Sequence, residues 1–347
     1  MFFMLNFPKG KKLAFVYNVR HVYPDSDDPS TFNEADFDDQ ETIDSIVSHL
    51  KNLGLDVLPI EANTQAEPIL IDNKTEIGFV LNYSEEVFKS EPKTYMAEVL
   101  ERVGLPFSGC FYKTQKIIIN KGEMKRLLLI EGVSTLPYQV FEDAKENLDS
   151  QLRFPLIVKP IARGSSAGIT NKSIVNNNEE LSRQVKFVLD TFNEPALVEP
   201  FIEGREFSVG MLGNPPEIFP IIEPLHDKLP KDFYHIDSME VKWKVEDELG
   251  VDYFKIPADT GNDLKSNIEN LCRATWNTLE IRDFCRIDLR INQKNNIIYV
   301  LDVNSPPGLI PPEISTTSYF PMAAKVKGYN YEDLLSKIID AGLSRYQ

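Results

Sequence analysis

Two runs of strict two-residue alternation, set on either side of a polar turn, restrict this chain more than any other stretch of it. They are Arg286-Ile-Asp288-Leu-Arg290-Ile291 and Ile297-Ile-Tyr-Val-Leu-Asp302-Val-Asn304, joined by Asn292 to Asn296. Period two belongs to a β-strand with one apolar and one polar face. If the turn closes a hairpin, Ile291 faces Ile297 and Arg286 faces Asp302. Arg286, Asp288, Asp302 and Asn304 then share one face, and Ile287, Leu289, Ile291, Leu301 and Val303 form the buried one. Two carboxylates and an amide oxygen on one face are hard ligands for Mg²⁺, which is usually shared between a few carboxylates and substrate phosphates. The plainer alternative is a salt-bridged sheet face, but apolar neighbours make unpaired acids costly there. The ribbon leaves through Ser305-Pro306-Pro307-Gly308, where Gly308 offers an accessible backbone N–H.

The first third of the chain alternates strand and helix. Leu13–Tyr17, Val57–Ile60 and Ile77–Leu81 read as strands. Ile43, Ile46, Leu50 and Leu53 mark a helix stopped by Gly54; Met96, Val99, Leu100 and Val103 mark another, stopped by Gly104. Such alternation implies a parallel sheet with crossover helices. A long acidic loop, rich in Pro, Ser and Asp, lies between about Asn18 and Asp39. It either covers a substrate site or has no fixed structure. From Thr114 a Lys-rich helix is expected to run to Gly132. Later helices are expected around Leu181–Leu189, Leu264–Leu279 and Tyr331–Ala341.

Two further segments carry chemistry. The apolar strand Leu156–Lys159 delivers a lysine to Pro160 and then to the loop Gly164-Ser165-Ser166-Ala167-Gly168. Glycines let the backbone approach a ligand closely, and successive N–H groups make an anion-binding concavity. Ser165 and Ser166 add hydroxyl donors, and Lys159 adds a point charge. Read alone, this is a surface turn beside a solvated lysine. It is not a Walker A loop, because no Gly-Lys-Ser/Thr follows. Next, Ala196-Leu-Val-Glu199-Pro-Phe-Ile202-Glu-Gly-Arg-Glu206 has the strand–linker–strand shape of an adenine hinge, although acids at strand ends are usually just solvated.

Composition narrows the function classes. With 53 acidic against 37 basic residues the formal net charge is −16. That balance argues against a nucleic-acid partner, which needs basic patches, but allows a small nucleotide. Cys110, Cys272 and Cys285 have no metal-ligand spacing and read as buried small residues in a reducing compartment. The opening MFFMLNF is too short for a signal core, and no run approaches the ~18 apolar residues of a membrane span. The expected place is the cytoplasm, away from membranes.

In order and spacing these three motifs resemble the ATP-grasp superfamily, and most closely the D-alanine–D-alanine ligases. The similarity spans about residues 95–335. It includes Gly104-Leu-Pro-Phe-Ser-Gly109, Asn120-Lys121, Phe233-Tyr234 with Glu240-Val241-Lys242, and the segment Ser318-Tyr319-Phe320-Pro321-Met322-Ala323-Ala324. The resemblance implies an α/β fold of the α+β ATP-grasp kind. An N-terminal parallel-sheet domain (1–113) would precede a central subdomain carrying the nucleotide lid (114–210) and a C-terminal subdomain with the metal and oxyanion site (211–347). ATP would be sandwiched between the last two. Lys121 and Lys159 would hold the α/β-phosphates, and Gly164, Ser165, Ser166 and Gly168 would close over the β/γ-phosphates. Glu199 and the backbone near Ile202 would read adenine, Glu206 the ribose. Lys242 would neutralise the γ-phosphate. Asp288, Asp302 and Asn304 would bind two Mg²⁺ ions, with Mn²⁺ a possible replacement. Arg286 and the Gly308 N–H would form the oxyanion hole, with Ser166 and Lys242 also in the catalytic set. Ser318 and Tyr319 would hold the acceptor. The implied substrates are a small carboxylate and an amine, joined through an acyl phosphate, in a protein that is often a homodimer.

Two departures from the ligase pattern stand out. The Gly-Gly-x-Ser-x-Glu segment after the first strand is replaced by Tyr17-Asn18-Val19-Arg20-His21 and the acidic loop. Likewise Asn82-Tyr83-Ser84-Glu85-Glu86 stands where the family carries His-Gly-x-x-Gly-Glu. The pocket for the first substrate therefore differs. Asp302 also replaces the usual glutamate and is one methylene shorter. Other readings are a genuine D-alanine–D-alanine ligase, a nucleotide-binding scaffold that makes no product, and a phosphotransferase without an acyl acceptor. Retention of Arg286 speaks against the scaffold, since binding alone needs no oxyanion donor.

Overall fold

Strands β1 (Lys12–Tyr17), β2 (Val57–Glu61) and β3 (Ile77–Tyr83) form a parallel sheet in the order β2-β1-β3. The computed structural model describes residues 1–347 apart from 1–4, 6, 26, 27 and 243–245. Most of the apolar opening segment, and Ser26 and Asp27 of the acidic loop, thus lie outside the described residues. Helices α1 (Gln40–Asn52) and α2 (Ala66–Asp72) make the crossovers, and α3 (Met96–Val103) follows β3. Leu13, Phe15, Phe79 and Leu81 meet Ile43, Ile46 and Leu50 of α1 on one face. Ala14, Val16 and Val80 meet Leu70, Met96 and Leu100 on the other. Burial on both faces is why these strands read as continuous apolar runs.

The single Lys-rich helix expected over 114–132 is two: α4 (Tyr112–Ile119) and α5 (Lys121–Ile130). Asn120 breaks it, with an extended ψ of 98° and a side chain that accepts the Glu123 N–H. An N-cap asparagine thereby places Lys121 at the first position of a new helix.

Antiparallel strands β4 (Gln139–Phe141), β5 (Leu156–Pro160), β6 (Ile174–Val175) and β7 (Ala196–Pro200) form a second sheet in the order β4-β7-β5-β6. Helix α6 (Asn178–Phe192) covers it through Leu181, Val185, Val188 and Phe192. Phe32 and Ala35, from the acidic loop, are buried in this same core. The loop thus has fixed structure where it is described, with a 3₁₀ turn at Pro29–Glu34. Arg20 braces it by an ion pair of 2.8 Å to Asp39.

The third sheet is antiparallel. It joins β8 (Glu206–Leu212) and β9 (Glu217–Ile218) to a ribbon of two long strands, while β10 (Glu223–Pro224) and β11 (Phe254–Lys255) pair separately. The ribbon strands are β12 (Phe284–Ile291) and β13 (Ile298–Asn304), giving the order β13-β12-β8-β9. The one-turn helix α7 (Glu246–Leu249) lies between β10 and β11. Helix α8 (Gly261–Thr278) packs Ile268, Cys272 and Trp276 against Ile287, Leu289 and Val300. Helices α9 (Tyr319–Lys327) and α10 (Tyr331–Leu343) send Phe320, Leu335 and Ile338 back to Phe15 and Phe79 of the first sheet. Among the described residues no helix is long and apolar enough to cross a membrane.

The ribbon's register differs from the simple hairpin. Ile291 pairs with Ile298, and Arg286 faces Asn304, not Asp302. A register shift at Asp288/Leu289 leaves Leu301 without a partner on β12. One extra residue restores the parity, so Asp288 sits opposite Asp302. Leu301 leaves the core face and lines a cavity.

Candidate active site

The polar face of the ribbon is bonded throughout. Arg286 Nε and Nη2 donate to the two oxygens of Asp288, each at 2.9 Å. Asn304 Nδ2 donates to Asp288 Oδ2 at 2.9 Å, and Ser208 of β8, directly opposite Asp288 in the sheet, donates to Oδ1 at 2.5 Å. Burial opposes the charge on Asp288, but Arg286 and Ser208 outweigh it and hold the carboxyl below its ordinary range. Lys121 lies 2.8 Å from Asp302 Oδ2. Burial opposes its charge too, and Asp302 more than compensates, raising the lysine. Two carboxylates facing each other across a strand pair, with the Asn304 amide beside them and two cations balancing the charge, are a donor set that fits a hard divalent ion.

The opposite wall comes from the second sheet. Lys159 is the next-to-last residue of β5, and its Nζ lies 2.6 Å from Glu199 on β7. Lys125 of α5 lies 2.7 Å from the other Glu199 oxygen and donates to Thr135 Oγ1 at 2.9 Å. Glu199 is 0% exposed, so it is not the solvated strand-end acid of the plain alternative. Burial would raise it, yet Lys125 and Lys159 lower it to about 2. Beyond it the hinge is fastened to β12. Arg290 Nη1 donates to the Ile202 carbonyl at 3.1 Å, and Nη2 reaches Glu206 at 2.5 Å. A Cβ at Gly204 would come within 1.8 Å of the Ile291 carbonyl oxygen, so only glycine allows that approach.

The glycine/serine loop lies between the two walls. Ser165 and Ser166 both have positive φ, 44° and 60°. The Gly164 N–H donates to Asp36 of the acidic loop at 3.0 Å, and the Ser166 hydroxyl donates to the Asp237 carbonyl. Gly168 turns inward. Its N–H points at Met239 Sδ, 3.4 Å away, and a Cβ there would strike Phe192 at 2.6 Å.

Two cavities meet here. The first is walled by Lys121, Lys159, Gly164, Ser165, Ser166, Glu199, Ile202, Glu206, Lys242, Asp288, Asp302 and Asn304, with Ser208, Asp237 and Arg290. The second holds Gly308, Ser318, Tyr319 and Glu246, together with Asp36, Asp38, Tyr83 and Glu85 from the first third of the chain. Lys242, Arg286, Asn304, Gly164 and Ser165 belong to both. Arg286 lies over the Tyr319 ring, 5.2 Å from its centroid, and Tyr319 donates to Asp237 at 2.7 Å. Tyr83 donates to Asp38 at 2.6 Å and accepts the Leu309 N–H at 2.9 Å, tying β3 to the ribbon's exit. Burial raises Asp38 to about 6, and burial with Asp36 nearby raises Glu85 to about 8.

Of the residues to which the resemblance gave a binding or catalytic role, only Gly168 lies away from these walls. Several that line them were not singled out. Arg290 shares the alternation of Arg286 and Asp288, so its place on the polar face was readable. Ser208 depends on strand pairing that no local pattern encodes. Lys125, which pairs with Glu199 without lining either cavity, is one lysine among several in a helix. Asp36 and Asp38 come from a loop without periodicity.

The chain is similar to known proteins in sequence and in fold. The family model described as D-ala D-ala ligase C-terminus matches residues 128–340. The D-alanine–D-alanine ligase of Carboxydothermus hydrogenoformans is 29% identical over 314 residues, covering 88% of this chain and 94% of that protein. An uncharacterized protein, y4sG of Sinorhizobium fredii, is 28% identical over 314 residues, covering 87% and 88%. In fold, the crystal structure of D-alanine–D-alanine ligase from Bacillus anthracis complexed with ATP superposes with a TM-score of 0.69 at 20% identity, covering 96% of this chain and 98% of that one.

Proposed function

Because the chain belongs to the family described as D-ala D-ala ligase C-terminus, and is thus an ATP-grasp ligase, we propose that it joins a small carboxylic acid to an amine through an acyl phosphate, releasing ADP and phosphate. The observation that carries this reading is the meeting of the two cavities at Arg286, Asn304 and Lys242. A phosphoryl group at the end of a nucleotide in the first cavity would stand at the mouth of the second.

In this reading Glu199 and the Ile202 backbone contact adenine, Glu206 the ribose, and Lys121 and Lys159 the phosphates. Gly164, Ser165 and Ser166 close over the outer phosphates, and Lys242 neutralises the one transferred. Asp288, Asp302 and Asn304 would hold magnesium, as two ions, with manganese acceptable. Such ions would supply positive charge against the phosphate oxygens. An acid in the second cavity attacks the terminal phosphorus, and an amine then attacks the acyl carbon. The oxyanion that develops accepts hydrogen bonds from the Arg286 guanidinium and the Gly308 N–H. Losing one such donor typically costs ~10²–10³ in rate.

The test is ADP release by the full chain with ATP and Mg²⁺, over a panel of amino acids and other small acids, with hydroxylamine as the trapping amine. At least one acid should give hydroxylamine-dependent ADP and a hydroxamate. If none does, the ligase reading falls. The likeness to the Carboxydothermus enzyme favours one narrower reading, D-alanine in both roles. Formation of the dipeptide from D-alanine alone would establish it.

A further inference from the structure

We infer that Glu246 is the base that takes a proton from the incoming amine, an assignment that rests on the ligase reading above. Glu246 opens α7, is 7% exposed, and stands on the wall of the second cavity with Arg286, Gly308, Ser318 and Tyr319. Among the described residues its carboxylate receives one hydrogen bond, a long one of 3.4 Å from the Tyr319 hydroxyl. That hydroxyl bonds far better to Asp237, at 2.7 Å. Asp237 also takes His226 Nε2 at 2.9 Å and the Tyr253 hydroxyl at 3.3 Å. The carboxylate of Asp237 is therefore occupied, and that of Glu246 is available to a ligand.

The charged and titratable groups facing Glu246 are Asp237, Lys242, Arg286, Tyr319 and Tyr253. They divide the two acids. Burial works against ionised Asp237, but His226 and Lys242 hold it well below its ordinary value. Glu246 is raised to about 8, by burial first and by the charge on Asp237 second. Two carboxyls pushed apart in this way are suited to separate duties, one as a fixed charge and the other as a proton acceptor near neutral pH. Glu85 is raised as far, but by burial and by Asp36 and Glu86, all from the first third of the chain.

The step balances. An amine arrives as R–NH₃⁺ and passes one proton to Glu246, leaving a lone pair on nitrogen. That pair forms the C–N bond while the carbonyl pair moves to oxygen, towards Arg286 and Gly308. Collapse breaks the C–O bond to phosphate, and the second nitrogen proton leaves with it as HPO₄²⁻. Glu246 then returns its proton to water.

The experiment compares Glu246→Gln with the unaltered chain at pH 7.5, using whichever acid gives hydroxylamine-dependent ADP. Hydroxylamine is already neutral at this pH and needs no base. An amino-acid amine is cationic and does. Glu246→Gln should lower amino-acid-dependent ADP release by ~10²-fold or more, with hydroxylamine-dependent release within about threefold. The amino-acid rate should recover as pH rises. A variant that loses both activities alike, or neither, overturns the assignment, as does the same split in Glu85→Gln instead. Absence of hydroxylamine-dependent ADP from the unaltered chain would instead sink the ligase reading itself. A readout without substrate is ¹³C NMR of carboxyl-labelled glutamate. One resonance, missing from Glu246→Gln, should titrate well above the others, and an ordinary carboxyl midpoint there would refute the proposal.

Discussion

Glu199 shows what one buried carboxylate can organise. It holds Lys125 of α5 and Lys159 of β5 at the same point, so a helix and a strand are registered by a single side chain. Removing its charge leaves two lysines buried without a counter-ion, a change that typically costs ~3–5 kcal/mol. Glu199→Gln should therefore lower the denaturation midpoint substantially. The pH dependence has a definite sign. The folded value of about 2 lies below the ordinary 4.5, so the stabilisation is complete above about pH 4.5 and is lost as pH falls towards 2. In order of magnitude the shift is worth ~3 kcal/mol. Urea titrations of both chains between pH 6 and pH 3 check this. The gap should narrow towards the acid end, and a constant gap would mean the ion pairs contribute little. Sequence alternation revealed Arg286, Asp288, Asp302 and Asn304, because period two is a local signal. Lys125 was hidden, because its role is defined only by what α5 packs against.

At the level of elements, the three strands of the first sheet and helices α1 and α3 were legible from apolar spacing and glycine stops, and so were β12 and β13; the seven-residue α2 was missed. Two further features were hidden. The bulge at Leu301 is a property of the pairing and leaves no mark on β13 alone. The break at Asn120 is a single residue whose cap competes with a continuous run of helix formers. Contacts between distant elements were equally invisible, and α1 supplies a testable one. His49 Nδ1 meets Glu332 of α10, and Nε2 meets Glu313, both at 2.7 Å. Burial opposes the imidazolium, but the two acids prevail and raise it above 6.5. Its contribution is thus complete below about pH 6.5 and disappears as pH climbs through the raised value. Thermal midpoints should fall between pH 6 and pH 9, and His49→Gln should flatten that dependence. Parallel curves for the two proteins would remove His49 from the account.

The described residues form three sheets of three or four strands and one two-stranded pair, and no larger sheet owns its core outright. Helices α9 and α10 complete the apolar layer under the first sheet. Phe32, 3% exposed, completes the layer under the second, with its ring 6.5 Å from that of Phe192. Truncating a buried phenylalanine typically costs ~3–5 kcal/mol. Phe32→Ala should lower the midpoint by that order although it lies in a loop, whereas a change at exposed Val22 should stay within about 0.5 kcal/mol. Equal effects at the two sites would show that the loop does not belong to the core. Composition and charge argued against a nucleic-acid partner and left a small nucleotide open. The acidic wall of the second cavity stayed out of sight, because Asp36 and Asp38 reach it through a long aperiodic excursion.

That excursion has a mechanical consequence. A segment rooted beside the first sheet and anchored by Phe32 inside the second holds the glycine/serine loop through the Asp36–Gly164 hydrogen bond. Two residues further on, Asp38 is fastened to Tyr83 of β3. One short span of chain thus staples the loop to the floor of the neighbouring cavity.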